Sequence, residues 1–177
     1  MGKFGTKFRT KRLGLIILGL VLFTQTVSAE YLSLPIRLQT ALFVKIFKYN
    51  HTLKNKNSIR VLIVFDREKE SVKKELVSSM QKLSLEVVAV EPGELEKCIA
   101  DYDVVYFMLG QQRLGQLCKE HKVLSISGTP KDTEEGNVSL AVGVYMDKPK
   151  IFLNLTSLQA EGNDISAELL KLAKIYK

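Results

Sequence analysis

Arg60-Val61-Leu62-Ile63-Val64-Phe65, closed by Asp66-Arg67, is the stretch that decides the fold of this chain. It is a continuous β-branched and aromatic run. A strand with one face in water alternates apolar and polar residues, so a run without alternation belongs to a strand covered on both faces. Three more runs follow at short intervals. They are Leu85 to Val90, stopped by Pro92-Gly93; Asp103 to Leu109; and Val123 to Ser127, closed by Gly128-Thr129-Pro130. Helical periodicity fills the gaps. Glu70 to Leu83 sets Val72, Leu76, Met80 and Leu83 on one stripe. Glu94 to Ala100 carries Leu95, Cys98 and Ile99, and Gly110 to Glu120 carries Leu114, Leu117 and Cys118. Strand and helix in alternation predict a parallel sheet with helices on both faces.

The C-terminal part breaks this rhythm. Val138 to Met146 and Lys150 to Leu155 both alternate, and only Asp147-Lys148-Pro149 joins them. A parallel return needs a crossover of about a dozen residues, so these two strands must be antiparallel. A final helix is expected from Asp164, a good N-cap, with Ile165, Leu169, Leu172 and Tyr176 on one side. Upstream, Pro35 to Tyr49 reads as a helix whose Leu38, Leu42, Ile46 and Tyr49 recur at helical spacing. Ala41, Phe43, Val44 and Phe47 make its other sides apolar too, so it is buried on several sides or meets a partner, for which Phe43 and Phe47 are the candidates. The expected architecture is therefore α/β: a three-layer sandwich whose mostly parallel, four-stranded Rossmann-like sheet is extended by a C-terminal antiparallel hairpin and a closing helix.

The N-terminal 29 residues read differently. Lys3, Lys7, Arg9, Lys11 and Arg12 precede the apolar run Leu13 to Phe23, and Val27-Ser28-Ala29 ends it. Positive flank, apolar centre and small-x-small exit predict a signal peptide over 1–29, cleaved after Ala29. The competing reading is a membrane anchor. The run makes only about 16 Å of helix at 1.5 Å per residue, against roughly 30 Å of hydrocarbon, so no stable membrane insertion is expected after cleavage. The mature chain is expected to be exported.

Of 26 Lys and Arg the leader holds five, leaving 21 against 19 acidic residues and a net charge of +2. The high overall charge is thus largely the leader's, and it gives no basic footprint for nucleic acid. Residues 30–177 have the size of one domain with one core. His51 to Ser58 and Asp132 to Asn137 are polar and expected as loops.

Cys98 and Cys118 are the only cysteines. An oxidising compartment permits a disulfide between them, and right-handed crossovers put their helices on one face of the sheet. That bridge is the expectation, and two free cysteines buried as small hydrophobes are the alternative.

An assembled active site is not legible. His51 and His121 stand alone in polar segments, and no ligand set at metal spacing occurs. A nucleophile elbow, a Walker sequence and a G-x-G-x-x-G turn are all missing; Asp66-Arg67-Glu68 follows the first strand instead. Asp101 and Asp103 read as a solvated turn. Three N-x-S/T triplets, at Asn50, Asn137 and Asn154, are potential glycan acceptors, with Asn154 inside a predicted strand. No catalytic residue, cofactor or metal is expected. If a small ligand binds, it belongs beyond the carboxyl ends of the strands, at a rim formed by Asp66, Arg67, Gly110, Gln111, Gln112, Gly128 and Thr129. Ordinary loop residues are the competing reading of that rim.

The last forty residues carry a specific likeness. Phe152-Leu153-Asn154-Leu155, a spacer, and then Ile165-Ser166-Ala167-Glu168-Leu169-Leu170-Lys171-Leu172-Ala173 resemble the closing signature of the YfiR family of exported proteins. The apolar helix Ala41 to Tyr49 and the strands at Val61, Val104 and Val123 agree in type and order. The chain departs from the family in having no Trp-Pro after the first helix and only two cysteines, whereas better-known members carry two bridges. The resemblance implies a non-catalytic periplasmic regulator that binds and represses the periplasmic sensor domain of an inner-membrane diguanylate cyclase, or another membrane sensor protein. Repression would lower cyclic di-GMP and biofilm formation, with the regulator acting as a monomer or a homodimer. The rival readings are a periplasmic small-molecule binding protein of the receptor or transport type and an unrecognised enzyme.

Overall fold

A computed structural model of the chain describes residues 1–2 and 33–177, so all but two residues of the expected signal peptide lie outside the described residues. Helix α1 (Ile36–Phe47) comes first. It is followed by β1 (Arg60–Val64), α2 (Glu70–Gln81), β2 (Glu86–Val90), α3 (Leu95–Cys98), β3 (Val104–Phe107), α4 (Gly115–His121) and β4 (Leu124–Ser127). The chain continues through α5 (Pro130–Glu134), β5 (Leu140–Tyr145), β6 (Lys148–Asn154), α6 (Leu155–Ala160), α7 (Ala167–Leu172) and β7 (Lys174–Tyr176). The strands form one seven-stranded sheet in the order β2-β1-β3-β4-β5-β6-β7. β2, β1, β3, β4 and β5 run parallel; β6 returns antiparallel to β5, and β7 lies parallel to β6.

Period-two alternation sorts each central strand between two cores. From β1 and β3, Val61, Ile63, Val104 and Tyr106 point to one side, where Phe43, Ile46 and Phe47 of α1 and Leu76 and Met80 of α2 cover them. Leu62, Val64, Val105 and Phe107 point to the other, under Leu95 and Ile99 and Cys118 of α4. The expected three layers are present. The helix on each face follows from right-handed crossovers: α2 leads outward from β1 to β2, whereas α3 and α4 lead back across the sheet.

Three expectations are corrected. The parallel part has five strands rather than four, because β5 pairs with β4 through Ile126–Leu140 and Ser127–Ala141. The closing helix is short. It holds only Ala167–Leu172, Ala173 turns extended, and Lys174–Tyr176 pair with Phe152–Asn154 of β6. An unpaired sheet edge outcompetes a marginal last turn of helix, and Ile175 and Tyr176 suit a strand. The segment expected as a loop at Asp132 starts inside α5, which Pro130 opens at its first position.

Beneath β4 and β5 the second face becomes polar. Ser125 N–H and Ser139 Oγ donate to Glu161 Oε2 at 3.0 and 2.5 Å, Ser125 Oγ donates to Oε1, and Ser139 N–H donates to Ser125 Oγ at 2.8 Å. Glu161 is fully buried. Its main-chain carbonyl accepts from Asn163 Nδ2, whose Oδ1 accepts from Asn50 Nδ2 at 2.8 Å. The end of α1 is thereby tied to the C-terminal segment. Burial pushes the Glu161 carboxyl up to about 7, against the pull of the Ser125 and Ser139 hydrogen bonds. A raised acid keeps its proton in the native state while the unfolded chain has already released it. Its contribution is greatest below pH 4.5 and is lost as pH rises through about 7. The span is worth about 3 kcal/mol at most. Urea unfolding between pH 4.5 and 8 should show this decline, and Glu161→Gln should flatten it; equal pH profiles for the two proteins would refute the assignment.

Candidate functional site

The topology singles out one end of the sheet. β1 hands on to α2 on one face and β3 to α4 on the other, so the loops diverge at the carboxyl ends of β1 and β3, where open α/β sheets bind ligands. A cavity of about 420 Å3 opens there between the N-terminal halves of α1 and α2. Ile36, Val72, Leu76, Met108 and Leu109 give it apolar walls, and Gln39, Lys69, Tyr106, Gly128 and Thr129 supply the polar groups. Tyr106 O–H donates to Gln39 Oε1 at 2.9 Å, and Gln39 Nε2 donates to the Leu34 carbonyl at 2.6 Å. The Tyr106 oxygen also accepts from Gly128 N–H, and burial holds the phenol well above its ordinary range. Gly128 is there for closeness of approach: a Cβ would overlap Gln39 Oε1 and lie 2.8 Å from the Tyr106 oxygen. This knot fastens α1 to the sheet.

All seven rim residues sit at this end of the sheet, but only Gly128 and Thr129 line the cavity. Asp66 caps the 3₁₀ turn that follows β1 by accepting from Glu68 N–H. Arg67 is held by Glu91 and is 80% exposed, turned away toward β2. Gly110 takes a positive φ of 100° after β3, and Gln111 leads into the next turn. Gln112 folds inward: its Oε1 accepts from Gly110 N–H at 2.8 Å, and its amide nitrogen faces Asp132 without completing a hydrogen bond. The sequence reading missed Gln39, Lys69 and Tyr106. A glutamine on the buried side of an otherwise apolar helix was the available signal.

A second feature involves the outer side of α1. Phe43 and Phe47, expected as partner contacts, are fully buried and stack at 6.4 Å, so both belong to the core. The stripe opposite them is the one left bare. Leu42 shares a hollow of about 560 Å3 with Tyr145, Met146, Pro149, Ile151 and Leu172, rimmed by Lys148 and Lys150. Met146 is 77% exposed and Leu172 60%. Leu38 and Tyr49, also exposed, lie on the same helical side as Leu42. Met146 and Asp147 form the two-residue turn of the β5–β6 hairpin with φ of 49° and 59°. Such turns favour Asn and Gly, and left-handed backbone costs another residue about 1 kcal/mol or more. Here that cost places a large apolar side chain in water.

Residues 37–174 match the YfiR/HmsC-like family. The chain belongs to that family. Membership supports a periplasmic regulatory role and agrees with the signature read from the closing forty residues. No curated protein matches the chain. Several solved structures share its fold. One is an ABC domain from Streptococcus pneumonia in complex with L-Trp, with 14% identity and a TM-score of 0.58 over 80% of this chain. A conserved domain protein from Vibrio cholerae matches at 14% and 0.59 over 81%. The ligand-free, open form of a Clostridium difficile substrate-binding protein with adhesive properties matches at 14% and 0.56 over 78%. This chain spans 60%, 60% and 58% of those proteins in turn. At that identity the likeness is one of fold.

Elsewhere the candidates take structural places. Asp103 accepts from Lys56 Nζ at 2.5 Å and Arg60 N–H at 2.8 Å, which ties a loop to β1. Asn50 and Asn154 are buried and hydrogen-bonded, leaving no room for a glycan on either. The expected bridge is not formed: Cys98 and Cys118 are free thiols. Both pack on one core, as the crossover argument required, but Cys98 Sγ turns back to the Glu94 carbonyl of its own turn at 3.4 Å and Cys118 is fully buried. Burial raises both thiols above their ordinary range.

Two outcomes follow from this geometry. Gly128→Ala should drive the Gln39 side chain out and lower stability by about 1–3 kcal/mol. In a Gln39→Ala background the same substitution should cost less, and full additivity of the two in a double-mutant cycle would count against the knot. Iodoacetamide labelling without reductant should add one group per native chain, at Cys98, and a second only after unfolding. A mass two hydrogens short and no labelling would restore the bridge.

Proposed function

We propose that this protein is a non-catalytic periplasmic regulator that binds and represses the periplasmic sensor domain of an inner-membrane diguanylate cyclase, lowering cyclic di-GMP and biofilm formation. The observation that carries the docking part is the bare apolar hollow around Met146 and Leu172. Exposed apolar surface at this density marks interaction sites. Methionine suits such a role because its flexible thioether adapts to a partner's shape. Family membership supports the regulatory part. The known members of the fold that bind substrates favour a second reading, a small-molecule binding protein working through the cavity between α1 and α2.

Affinity capture from detergent-solubilised membranes tests the first reading. The wild-type protein should retain a membrane-bound diguanylate cyclase, and Met146→Asp with Leu172→Asp should release it. Because both positions are exposed, the double variant should keep its melting temperature within a few degrees. Cells carrying it should show the raised cyclic di-GMP of a deletion strain. Undiminished capture by the double variant would remove the hollow as the docking surface, and no change of cyclic di-GMP on deletion would remove the regulatory reading. His51→Ala, His121→Ala and Asp103→Ala should leave repression intact.

A further inference from the structure

We propose that the cavity between α1 and α2 is a binding site for a small monocarboxylate with an apolar body, its carboxylate held by Lys69. Charge is the first argument. No Asp or Glu lines the cavity, and one ammonium does. Lys69 Nζ reaches across its mouth to donate to the Leu109 carbonyl at 2.5 Å and has no carboxylate within ion-pair distance among the described residues. Glu68 and Glu70 flank it in sequence; Glu70 is taken by Lys73 and Lys74, and neither carboxylate lies within ion-pair distance of Lys69. The remaining N–H donors of Lys69 therefore stand at the mouth of an apolar cavity without a counter-charge, and an anion seated there would accept charge-assisted hydrogen bonds from them.

Shape is the second argument. Val72 is 43% exposed and Leu109 61% exposed on the cavity wall, so water now covers apolar surface that a ligand would displace it from. Thr129 also lines the cavity, and its hydroxyl is a further polar group for the head. The floor is rigid, since Gln39, Tyr106 and Gly128 are locked together. About 420 Å3 lies in the lower part of the roughly 300–1,000 Å3 range of small-molecule sites, which selects a compact body such as a hexyl chain or a phenyl ring.

Hexanoate and hexan-1-ol, equal in body and different in head, are the probes. Hexanoate should raise the melting temperature of the wild-type protein saturably and give a single-site isotherm in calorimetry. Hexan-1-ol should bind at least about tenfold more weakly, as should hexanoate to Lys69→Gln, because a charge-assisted hydrogen bond is lost in each case. Val72→Trp, made at an exposed position, should fill the mouth and abolish binding while leaving the circular dichroism spectrum unchanged. The site is overturned by no saturable hexanoate binding to folded wild-type protein, by equal affinity for the alcohol, or by binding that survives both substitutions. Met146→Asp should leave hexanoate affinity unaltered, so this site and the docking surface stand or fall separately.

Discussion

Burial of β1 and β3 on both faces is the constraint from which the other features follow. Every residue from Val61 to Val64 and from Val104 to Phe107 is buried. Neither strand is tenable without a helical layer above and below it. Right-handed crossovers dispose of α2, α3 and α4 and leave half of one face uncovered. Helix α1 closes that half with Phe43, Ile46 and Phe47, and Phe43 meets Tyr106 edge to face at 5.9 Å.

Polar groups enter this interior at two places, and each fastens an element that hydrophobic contact alone would leave free to slide. Gln39, Tyr106 and Gly128 fix the N-terminal half of α1 against the sheet. Asn50, Asn163 and Glu161 fix its far end to the C-terminal segment and to the serines of β4 and β5. Apolar packing is non-directional, whereas buried hydrogen bonds accept one register. α1 is therefore held with one side lining a cavity and the opposite side bare. Leu42 looks toward a surface shared with the hairpin and α7 and Leu38 toward solvent beside it, while Ile36 and Gln39 look into the cavity.

Sequence periodicity carried the strands and their order of appearance, because burial on two faces leaves a run too apolar to be mistaken. The same reasoning assigned α1 its length but not its orientation. Leu38, Leu42, Ile46 and Tyr49 recur at helical spacing, yet only Ile46 of these joins Gln39, Thr40, Phe43 and Phe47 in the buried set. Apolar residues stand on more than one side of that helix, and polar residues with partners, Thr40 with Ser79 at 2.7 Å and Gln39 with Tyr106, help to fix its rotation. Topology gathered the rim residues at the carboxyl ends of the strands. Which of them line the cavity depended on side-chain directions that no spacing encodes, as Arg67 and Gln112 show by turning away from it.

The amino-acid order by itself determined an α/β sandwich, an antiparallel closing hairpin and a family signature in the last forty residues. These are local patterns of burial, turn length and residue type, and each is written within a few consecutive residues. Only the tertiary structure decided that Lys174–Tyr176 would leave the helix to pair with β6, that Cys98 and Cys118 would stay apart, and that Met146 would join Leu42 and Leu172 on one surface. Those outcomes rest on contacts between segments distant in sequence. There, an open strand edge, a carbonyl within reach or a backbone turn outweighs local preference by about a kilocalorie per mole, a margin no single segment reveals.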